Sequence, residues 1–347
     1  MKYNYQNISI SKDFYKTAEG FSKCLERLDP SEQYRGTELA GYDAFQRQLK
    51  RFDIKVSGHD SDRLQKFFAT SDSAALFPEY VSRAVKQGVD DNHILEEICA
   101  AQTQIEGMDY RAIVSDANWE EQSPAVIEEG GFIPETSIHL KDSLIKLRKR
   151  GRMMVASYEA IKFQRLDLFT VALKQIGSCI GKAQLEDAVN VLIHGDGNDN
   201  AAEKVSLSSG DSLTYQDLLN LWGSFGEYQM NVMLASPDMM LKLLQVPELQ
   251  NPETGLNFQA TGCLSTPLGA KLFVSSAVPE GTIIGLDKRY ALEMVTAGGI
   301  NVEYDKLIDC QMERAAVTSI AGFCKNLPGC REDSCKIKKG TIWMKFC

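Results

Sequence analysis

The residues with the clearest chemical potential form the pentapeptide His194-Gly195-Asp196-Gly197-Asn198. Asp and Asn side chains beside glycines can coordinate a divalent cation, and glycines let backbone amides approach a phosphate. The sequence does not continue into the Gly-Lys-Ser/Thr of a phosphate-binding loop, however, and no glutamate follows at calcium-loop spacing. The pattern therefore predicts a helix stop followed by a turn, with an enzymatic use of Asp196 and Asn198 as a remote alternative.

Other catalytic patterns are missing from the sequence. The four histidines, His59, His93, His139 and His194, have no His-x-x-x-His or Glu-x-x-His partners. The chain also lacks a Gly-x-Ser-x-Gly nucleophile elbow and a glycine-rich dinucleotide fingerprint. We therefore expect no catalytic residues, no metal, no cofactor and no enzymatic activity.

Four cysteines and several lysines crowd the last segment, residues 324–347. Cys324, Cys330, Cys335 and Cys347 could supply thiolates, but their spacing lacks the paired Cys-x-x-Cys of most zinc sites. We interpret this segment as a flexible tail with free thiols, and zinc binding or disulfides between chains as weaker alternatives. The other five cysteines are scattered singly, which is typical of reduced cytosolic residues.

The 347-residue chain is acidic, with a net charge of −9 and a pI of about 5.2. Such a charge argues against tight binding to nucleic acid across a broad face, because phosphate neutralisation needs clustered Lys and Arg. The sequence shows neither a signal peptide nor an apolar stretch long enough to cross a bilayer, so we expect no membrane association.

Residues 124–164 predict an extended two-stranded hairpin. Ile138 and Leu140 alternate with polar residues at strand spacing, and the chain is predicted to turn at residues 149–151 and return through Met153. The sequence indicates a hinge before the first strand, at the glutamates preceding two glycines.

The hairpin is strongly basic and its hinge is acidic. The candidate contact residues are Lys141, Lys146, Arg148, Lys149, Arg150 and Arg152 on the hairpin, with Glu128 and Glu129 at the hinge. A run of charges is usually a solvated face, but on a projecting hairpin of an acidic protein it also fits docking onto the carboxylates of a neighbouring molecule. Both interpretations remain open from the residues alone.

A long helix is predicted from Asp167 to the glycine-rich stop. Phe169, Leu173 and Ile180 lie on one face, and Leu185 and Val189 belong to a second, rotated stripe on the same helix. About 27 residues at 1.5 Å per residue make a rod of roughly 40 Å. A helix of this length favours a structural role as a spine.

The regions around this spine differ in character. Residues 1–65 predict two helices, which form either a small helical hairpin packed on the rest or a detachable assembly domain. Residues 66–123 predict an arm with one helix and no core of its own. Residues 211–285 predict a compact α/β unit, with a capping box at Thr214 and a strand at Thr282–Leu286, and further strands follow after residue 286.

The order of these parts resembles the major capsid protein of tailed bacteriophages, whose fold is shared with encapsulin shells. The motifs that carry the resemblance are Leu76-Phe77-Pro78-Glu79-Tyr80-Val81, Leu192-Ile193-His194-Gly195-Asp196-Gly197-Asn198, Asp287-Lys288-Arg289-Tyr290-Ala291-Leu292 and Arg314-Ala315-Ala316-Val317. The similarity covers roughly residues 66–323, and the order of the motifs is more specific than any one of them. The Cys-rich end departs from the expected pattern.

The resemblance implies an α+β fold with named parts. Residues 66–123 would be the N-terminal arm and residues 124–164 the extended loop lying over an adjacent subunit. Residues 165–210 and 286–323 would form the peripheral domain with the spine helix, and residues 211–285 the axial domain. Residues 1–65 would be an assembly domain of the kind that a protease removes or a separate scaffolding protein replaces.

The implied function is a structural subunit of an icosahedral capsid that encloses double-stranded DNA in a phage or prophage virion, assembled in the cytoplasm of a bacterial host. Its partners would be copies of itself in pentamers and hexamers, together with a portal, a scaffolding protein or a maturation protease. DNA would be packaged without sequence-specific contacts. An encapsulin-like compartment shell is the alternative within the same fold.

Overall fold

The computed structural model describes residues 4–17, 19–91, 93–115, 126, 129, 138–141, 144–197, 200–205, 213–226, 228–250, 267–325 and 341–345. The chain forms two compact units. Unit 1 comprises Met1–Asn92, Arg150–Gly181 and Ile300–Ser319, and unit 2 comprises His93–Lys149, Lys182–Gly299 and Ile320–Cys347.

The described residues contain helices and strands in a mixed order. The α-helices are α1 (Phe21–Leu28), α2 (Ala44–Arg51), α3 (Ser71–Ala75), α4 (Phe77–Asp90), α5 (Ile94–Ile98), α6 (Tyr158–Phe163), α7 (Leu166–His194), α8 (Tyr215–Gly223), α9 (Pro237–Leu244) and α10 (Pro247–Gln250). The strands are β1 (Cys99–Ile105), β2 (Ile113–Ser115), β3 (Ile138–Leu140), β4 (Arg148–Ser157), β5 (Glu203–Val205), β6 (Val232–Ala235), β7 (Lys271–Val274), β8 (Thr282–Leu286), β9 (Leu292–Ala297), β10 (Asn301–Leu307), β11 (Met312–Lys325) and β12 (Thr341–Lys345). The expected α+β class is confirmed.

The predicted spine is the longest helix of the described chain, α7. Its first apolar stripe includes Leu173 and Ile180, which are buried in the core of unit 1. Its second stripe includes Leu185, Val189 and Leu192, which are buried in a core of unit 2. The rotation between the two stripes in the sequence therefore marks the point at which the helix passes from one unit to the other.

Unit 1 has one core to which the N-terminal helices contribute. Phe21 and Leu25 of α1 are buried in the same cluster as Phe45 of α2, Tyr80 of α4 and Leu166 of α7. The helical spacing of apolar residues from Phe14 to Leu28 predicts one helix, and this was wrong, because Gly20 adopts a positive φ of 79° and separates a 3-10 turn from α1. The helices of residues 1–65 thus share a core with the later ones, and their assembly role stays a prediction.

Charged side chains also tie the N-terminal segment to α4. The Arg83 guanidinium donates to Glu79 Oε1 at 2.8 Å, to Asp43 Oδ2 at 2.5 Å and to Ser22 Oγ at 2.7 Å. Arg47 is fully buried, and its Nε donates to Asp29 Oδ2 at 2.5 Å. The ordered contacts of α1 and α2 are therefore polar as well as apolar.

Residues 66–123 are more structured than the expected arm with one helix. Pro78 lies in the first turn of α4, where a proline fits, so it starts the helix instead of interrupting it. The helix then continues through Gly88. The segment after this helix forms α5 and β1, which the prediction of a single helix did not include.

Gly88 and Gly177 allow the backbones of α4 and α7 to come into contact within unit 1. A Cβ atom added at Gly88 would lie 2.1 Å from the carbonyl oxygen of Lys174, and one at Gly177 would lie 2.1 Å from the carbonyl oxygen of Val85. Both obstacles are backbone atoms, which cannot rotate away. Glycine is therefore required at both positions by packing.

Unit 2 contains two sheets and a short ladder. In the first sheet β1 runs parallel to β9, which pairs antiparallel with the end of β11. The second has the order β5-β12-β8-β6-β7. The ladder joins β2 and β3 antiparallel, and most of residues 116–137 between them lie outside the described residues.

Elements predicted within residues 211–285 are present among the described residues, although residues 211–285 belong to the larger unit 2. Thr214 and Asp217 form the expected capping box at the start of α8, and the backbone amide of Thr214 donates to Asp217 Oδ2 at 3.0 Å. The strand predicted at Thr282–Leu286 is β8, and all of its residues are buried. Leu218, Met233 and Met239 belong to one buried cluster here.

The interpretation of residues 324–347 as a flexible tail was wrong for the residues that are described. Cys324 is buried at the end of β11, and Thr341–Lys345 form β12 inside the second sheet of unit 2. Cys330, Cys335 and Cys347 lie outside the described residues.

We expect Gly88→Ala to lower the stability of the protein. Alanine favours a helix by about 1 kcal/mol over glycine, but overpacking against a fixed backbone costs about 1–3 kcal/mol. Gly223→Ala in α8 is the control, because no heavy atom lies within 4 Å of the added Cβ. Thermal unfolding should give a lower Tm for the first variant and an equal or higher Tm for the second. Equal effects would contradict the proposed close crossing.

Candidate functional site

The structure separates the predicted basic residues by exposure. Lys146, Arg148, Lys149 and Arg152 are exposed, and Arg150 is half-buried. Glu129 is exposed, and Glu128 lies outside the described residues. Most of the predicted contact candidates are thus accessible to another molecule.

The prediction of a two-stranded hairpin with its tip at residues 149–151 was wrong, because β3 pairs with β2 and β4 pairs with β11. Residues 149–151 lie inside β4, which runs continuously from Arg148 to Ser157 and pairs with β11. Gly151 lies so near β11 that an added Cβ would be 2.5 Å from the carbonyl oxygen of Val317. The basic run is therefore the exposed side of a strand held along the sheet, and not a turn at the end of a projection.

Arg148 is fixed by an acidic residue that the sequence alone did not single out. Its Nη1 lies 2.5 Å from Asp187 Oδ1, and the Asp187 side chain is 12% exposed while that of Arg148 is 52% exposed. Asp187 lies on the partly exposed flank of α7, next to the buried stripe. This pair attaches the start of β4 to the helix within unit 2.

Lys141 differs from the other cations because it is buried. Its ammonium lies 3.2 Å from Asp196 Oδ2 and also donates to the backbone carbonyl of Lys325. The side chains of Lys141 and Asp196 are only 7% and 4% exposed. A buried ammonium needs a paired carboxylate, so Lys141 supports the fold of its own chain.

Asp196 has a second buried basic residue beside it. Its Oδ2 accepts the backbone amide of Lys325 at 3.0 Å, and the Lys325 ammonium donates to the carbonyl oxygen of Asn200 at 2.8 Å. Lys325 is 1% exposed. We call Lys141, Asp196, Asn200 and Lys325 the helix-stop network, since it follows the end of α7.

The helix-stop network explains the glycines of the pentapeptide. Gly195 adopts a φ of 84°, and its amide donates to the carbonyl oxygen of Val191 at 2.9 Å, which ends the helix. The amide of Asp196 donates to Asn200 Oδ1 at 3.0 Å. The predicted helix stop is confirmed, while Asn198 lies outside the described residues. Among the residues that are described, no group of three His, Cys, Asp or Glu could hold a metal ion.

A second buried carboxylate lies nearby in unit 2, on β9. Glu293 Oε1 accepts the Thr103 hydroxyl at 2.5 Å and the Tyr110 hydroxyl at 2.8 Å, and Cys324 Sγ lies 3.5 Å from Oε2. Burial and the Glu293 carboxylate raise the pKa of Tyr110, and burial also raises that of the Cys324 thiol. Cys324 is therefore a protonated core residue and not a reactive thiolate.

Asp287 organises the turn between β8 and β9. Its carboxylate accepts Gln229 N at 3.0 Å, Asn231 Nδ2 at 2.9 Å and Arg289 Nη2 at 2.7 Å. Burial alone would raise the pKa of this carboxyl, but the hydrogen bonds from the Arg289 side chain and from backbone amides lower it. The sequence motif beginning at Asp287 thus has a structural cause.

The fold is that of capsid shell proteins. The capsid of a native GTA particle matches with a TM-score of 0.54 and 14% identity, over 74% of this chain and 90% of that chain. The capsid of cyanophage P-SCSP1u matches with a TM-score of 0.52 and 11% identity, over 73% and 88%. A chain of Microbacterium phage Oxtober96 matches with a TM-score of 0.52 and 10% identity, over 72% and 90%.

The sequence gives a more specific identification. Residues 141–306 match the model of a family described as phage capsid protein. No curated protein matches the chain. The resemblance to phage capsid proteins is therefore confirmed over residues 141–306, and the fold of the chain is that of capsid shell proteins. Among the described residues, no helix has both the length and the apolar character needed to cross a membrane.

We expect Asp196→Asn to destabilise the protein by about 3–5 kcal/mol, because it leaves the Lys141 ammonium buried without its carboxylate. Asp305→Asn is the matched control, since it breaks an exposed pair with Arg314 in which Asp305 is 59% exposed. That control should cost no more than about 1 kcal/mol. Urea unfolding measures both, and equal losses would show that the helix-stop network is not buried.

The lowered pKa of Asp287 predicts a specific dependence of stability on pH. A carboxyl whose pKa is lower in the folded state stabilises the protein above its unfolded pKa of about 4, and this contribution is lost as the pH falls further. Asp287→Asn should cost about 1–3 kcal/mol at neutral pH. The difference between the two proteins should shrink in urea titrations below about pH 4. A difference that is constant with pH would contradict the assignment.

Proposed function

We propose that this chain is the structural subunit that self-assembles into the icosahedral capsid of a tailed phage or prophage and encloses its double-stranded DNA. The observation that carries the proposal is the match of residues 141–306 to the phage capsid protein family. This range begins at Lys141 of the helix-stop network and includes β4, α7 and the strands through β9.

The exposed cations of β4 are the proposed contact surface between subunits. Lys149 and Arg152 of β4 are exposed, as is Lys146 shortly before the strand, and Met153 and Val155 of β4 are each 55% exposed. A subunit with a net charge of −9 offers carboxylates to such cations, and the exposed apolar side chains gain by being covered. Contacts of this head-to-tail kind close into rings, which is the geometry that pentamers and hexamers need.

The remaining parts take the roles implied by the resemblance. In this proposal residues 211–285 meet their copies around the symmetry axes, and residues 124–164 lie over an adjacent subunit. The acidic chain confines DNA without gripping it, because like charges repel. A portal, a scaffolding protein or a maturation protease would act with it in the host cytoplasm, and the shell itself would catalyse no reaction.

The test is assembly of the purified full chain, followed by negative-stain electron microscopy and sedimentation. We expect uniform closed shells at high protein concentration. The double variant Lys149→Glu, Arg152→Glu should remain as free subunits or small rings, because like charges set against one another cost several kcal/mol. Lys86→Glu is the control, since Lys86 is an exposed lysine of α4.

The outcomes separate the function from the contact surface. If the unaltered chain stays monomeric at every concentration, the shell function is contradicted. If the double variant assembles as well as the control, the function stands and β4 is not the contact. Shells isolated from the natural host that contain a protein cargo and no nuclease-protected DNA would favour an encapsulin-like compartment instead.

A further inference from the structure

The strand β12 occupies the interior of a sheet, although it lies far along the chain from its neighbours. On one side it pairs antiparallel with β8, from Thr341 opposite Leu286 to Lys345 opposite Thr282. On the other side it pairs parallel with β5, with Ile342 opposite Glu203. Its backbone is thus bonded along both edges, as in a central strand.

The strand β5 depends on β12 for its place in the sheet. In the order β5-β12-β8-β6-β7, β5 lies at the edge and has β12 as its only neighbour among the described strands. Without β12, the described parts of β5 and β8 would face each other across a gap one strand wide. We call this gap the strand slot.

The covalent connection to β12 is longer than the distance that it has to cover. Before the connection, Lys325 contacts Asp196 and Asn200, and after it Ile342 lies opposite Glu203. Asn200 and Glu203 are three residues apart, which is about 10 Å at most, whereas the 15 connecting residues, 326–340, can reach roughly 50 Å. The connection therefore does not force β12 into place, and the ladders on both edges must hold it there.

We propose that the strand slot is a binding site for an extended peptide, and that residues 341–345 are its ligand. The ligand is recognised mainly through its backbone, in the manner of strand addition to a sheet edge, but here along two edges at once. The bound sequence is Thr-Ile-Trp-Met-Lys. This inference goes beyond the capsid function and does not depend on shell assembly.

The slot accepts the segment independently of the chain that carries it. Within one chain the connection supplies an effective concentration in the millimolar range. Every copy carries the same five residues, so a peptide added in solution competes for the same site. Binding is thus reversible and exchangeable, unlike that of a strand held by a short turn.

The experiment cuts the connection without removing the strand. A protease recognition sequence is inserted between Gly329 and Cys330 of the full chain, and the purified protein is cleaved and passed over a size-exclusion column under reducing conditions. A synthetic peptide of residues 340–346 is then added in excess. Its control is the same peptide with Trp343→Pro, which removes one ladder hydrogen bond from a strand bonded on both sides.

We expect the released fragment to co-elute with the body of the protein after cleavage and to separate only in denaturant or excess peptide. The peptide with proline should compete at least about tenfold less well. A fragment that leaves the body immediately after cleavage would show that the slot does not hold the strand. A fragment that neither peptide displaces would contradict an exchangeable site. A fragment that both peptides displace equally would contradict recognition of the peptide as a hydrogen-bonded strand.

Discussion

The arrangement of unit 2 depends on the pairing of buried charge at the end of the long helix. Removing two lysines from water is costly, and Asp196 is the carboxylate that lies against both Lys141 and the backbone of Lys325. These residues come from segments that are far apart in the sequence. The hydrogen bonds among Lys141, Asp196 and Lys325 therefore hold together the end of α7, the end of β11 and the residue that follows β3.

Local sequence patterns were enough to predict those elements that are determined by residues close together in the sequence. The two apolar stripes of α7, the capping box of Thr214 and Asp217, and the strand Thr282–Leu286 are all encoded within a few turns or residues. Hydrophobic periodicity indicates which face of an element is buried, and a capping box indicates where a helix begins, because its side chains bond the free backbone amides of the first turn. Such features need no knowledge of distant partners.

Features that depend on distant pairing could not be obtained in this way. The basic residues around Gly151 predicted a turn. The structure instead explains the glycine by a close contact between strands, because the carbonyl oxygen of Val317 in β11 leaves no room for a Cβ atom. Lys141 read as one of several surface cations, and only its partner Asp196 reveals that it is buried. The five residues of β12 are too short to give a periodic signal, and they are ordered by strands made much earlier.

The same limit applies to the candidate contact surface. The cations along β4 were visible in the sequence because their type and density lie in one segment, and their role as a contact between subunits stays a prediction. The sequence did not identify Asp187, whose carboxylate binds Arg148, since that role needs the packing of β4 beside α7. It also gave no reason for Asp287, although the motif beginning there was part of the resemblance.

The placement of β12 has a consequence for biosynthesis. A ribosome makes β5, β6, β7 and β8 long before it reaches Thr341, so the nascent chain carries this sheet without its inner strand until late in translation. Chains released early by truncation or stalled upstream of that point would display two open strand edges. Such edges pair with other chains, so the order of synthesis exposes incomplete copies to aggregation and to removal by cellular quality control.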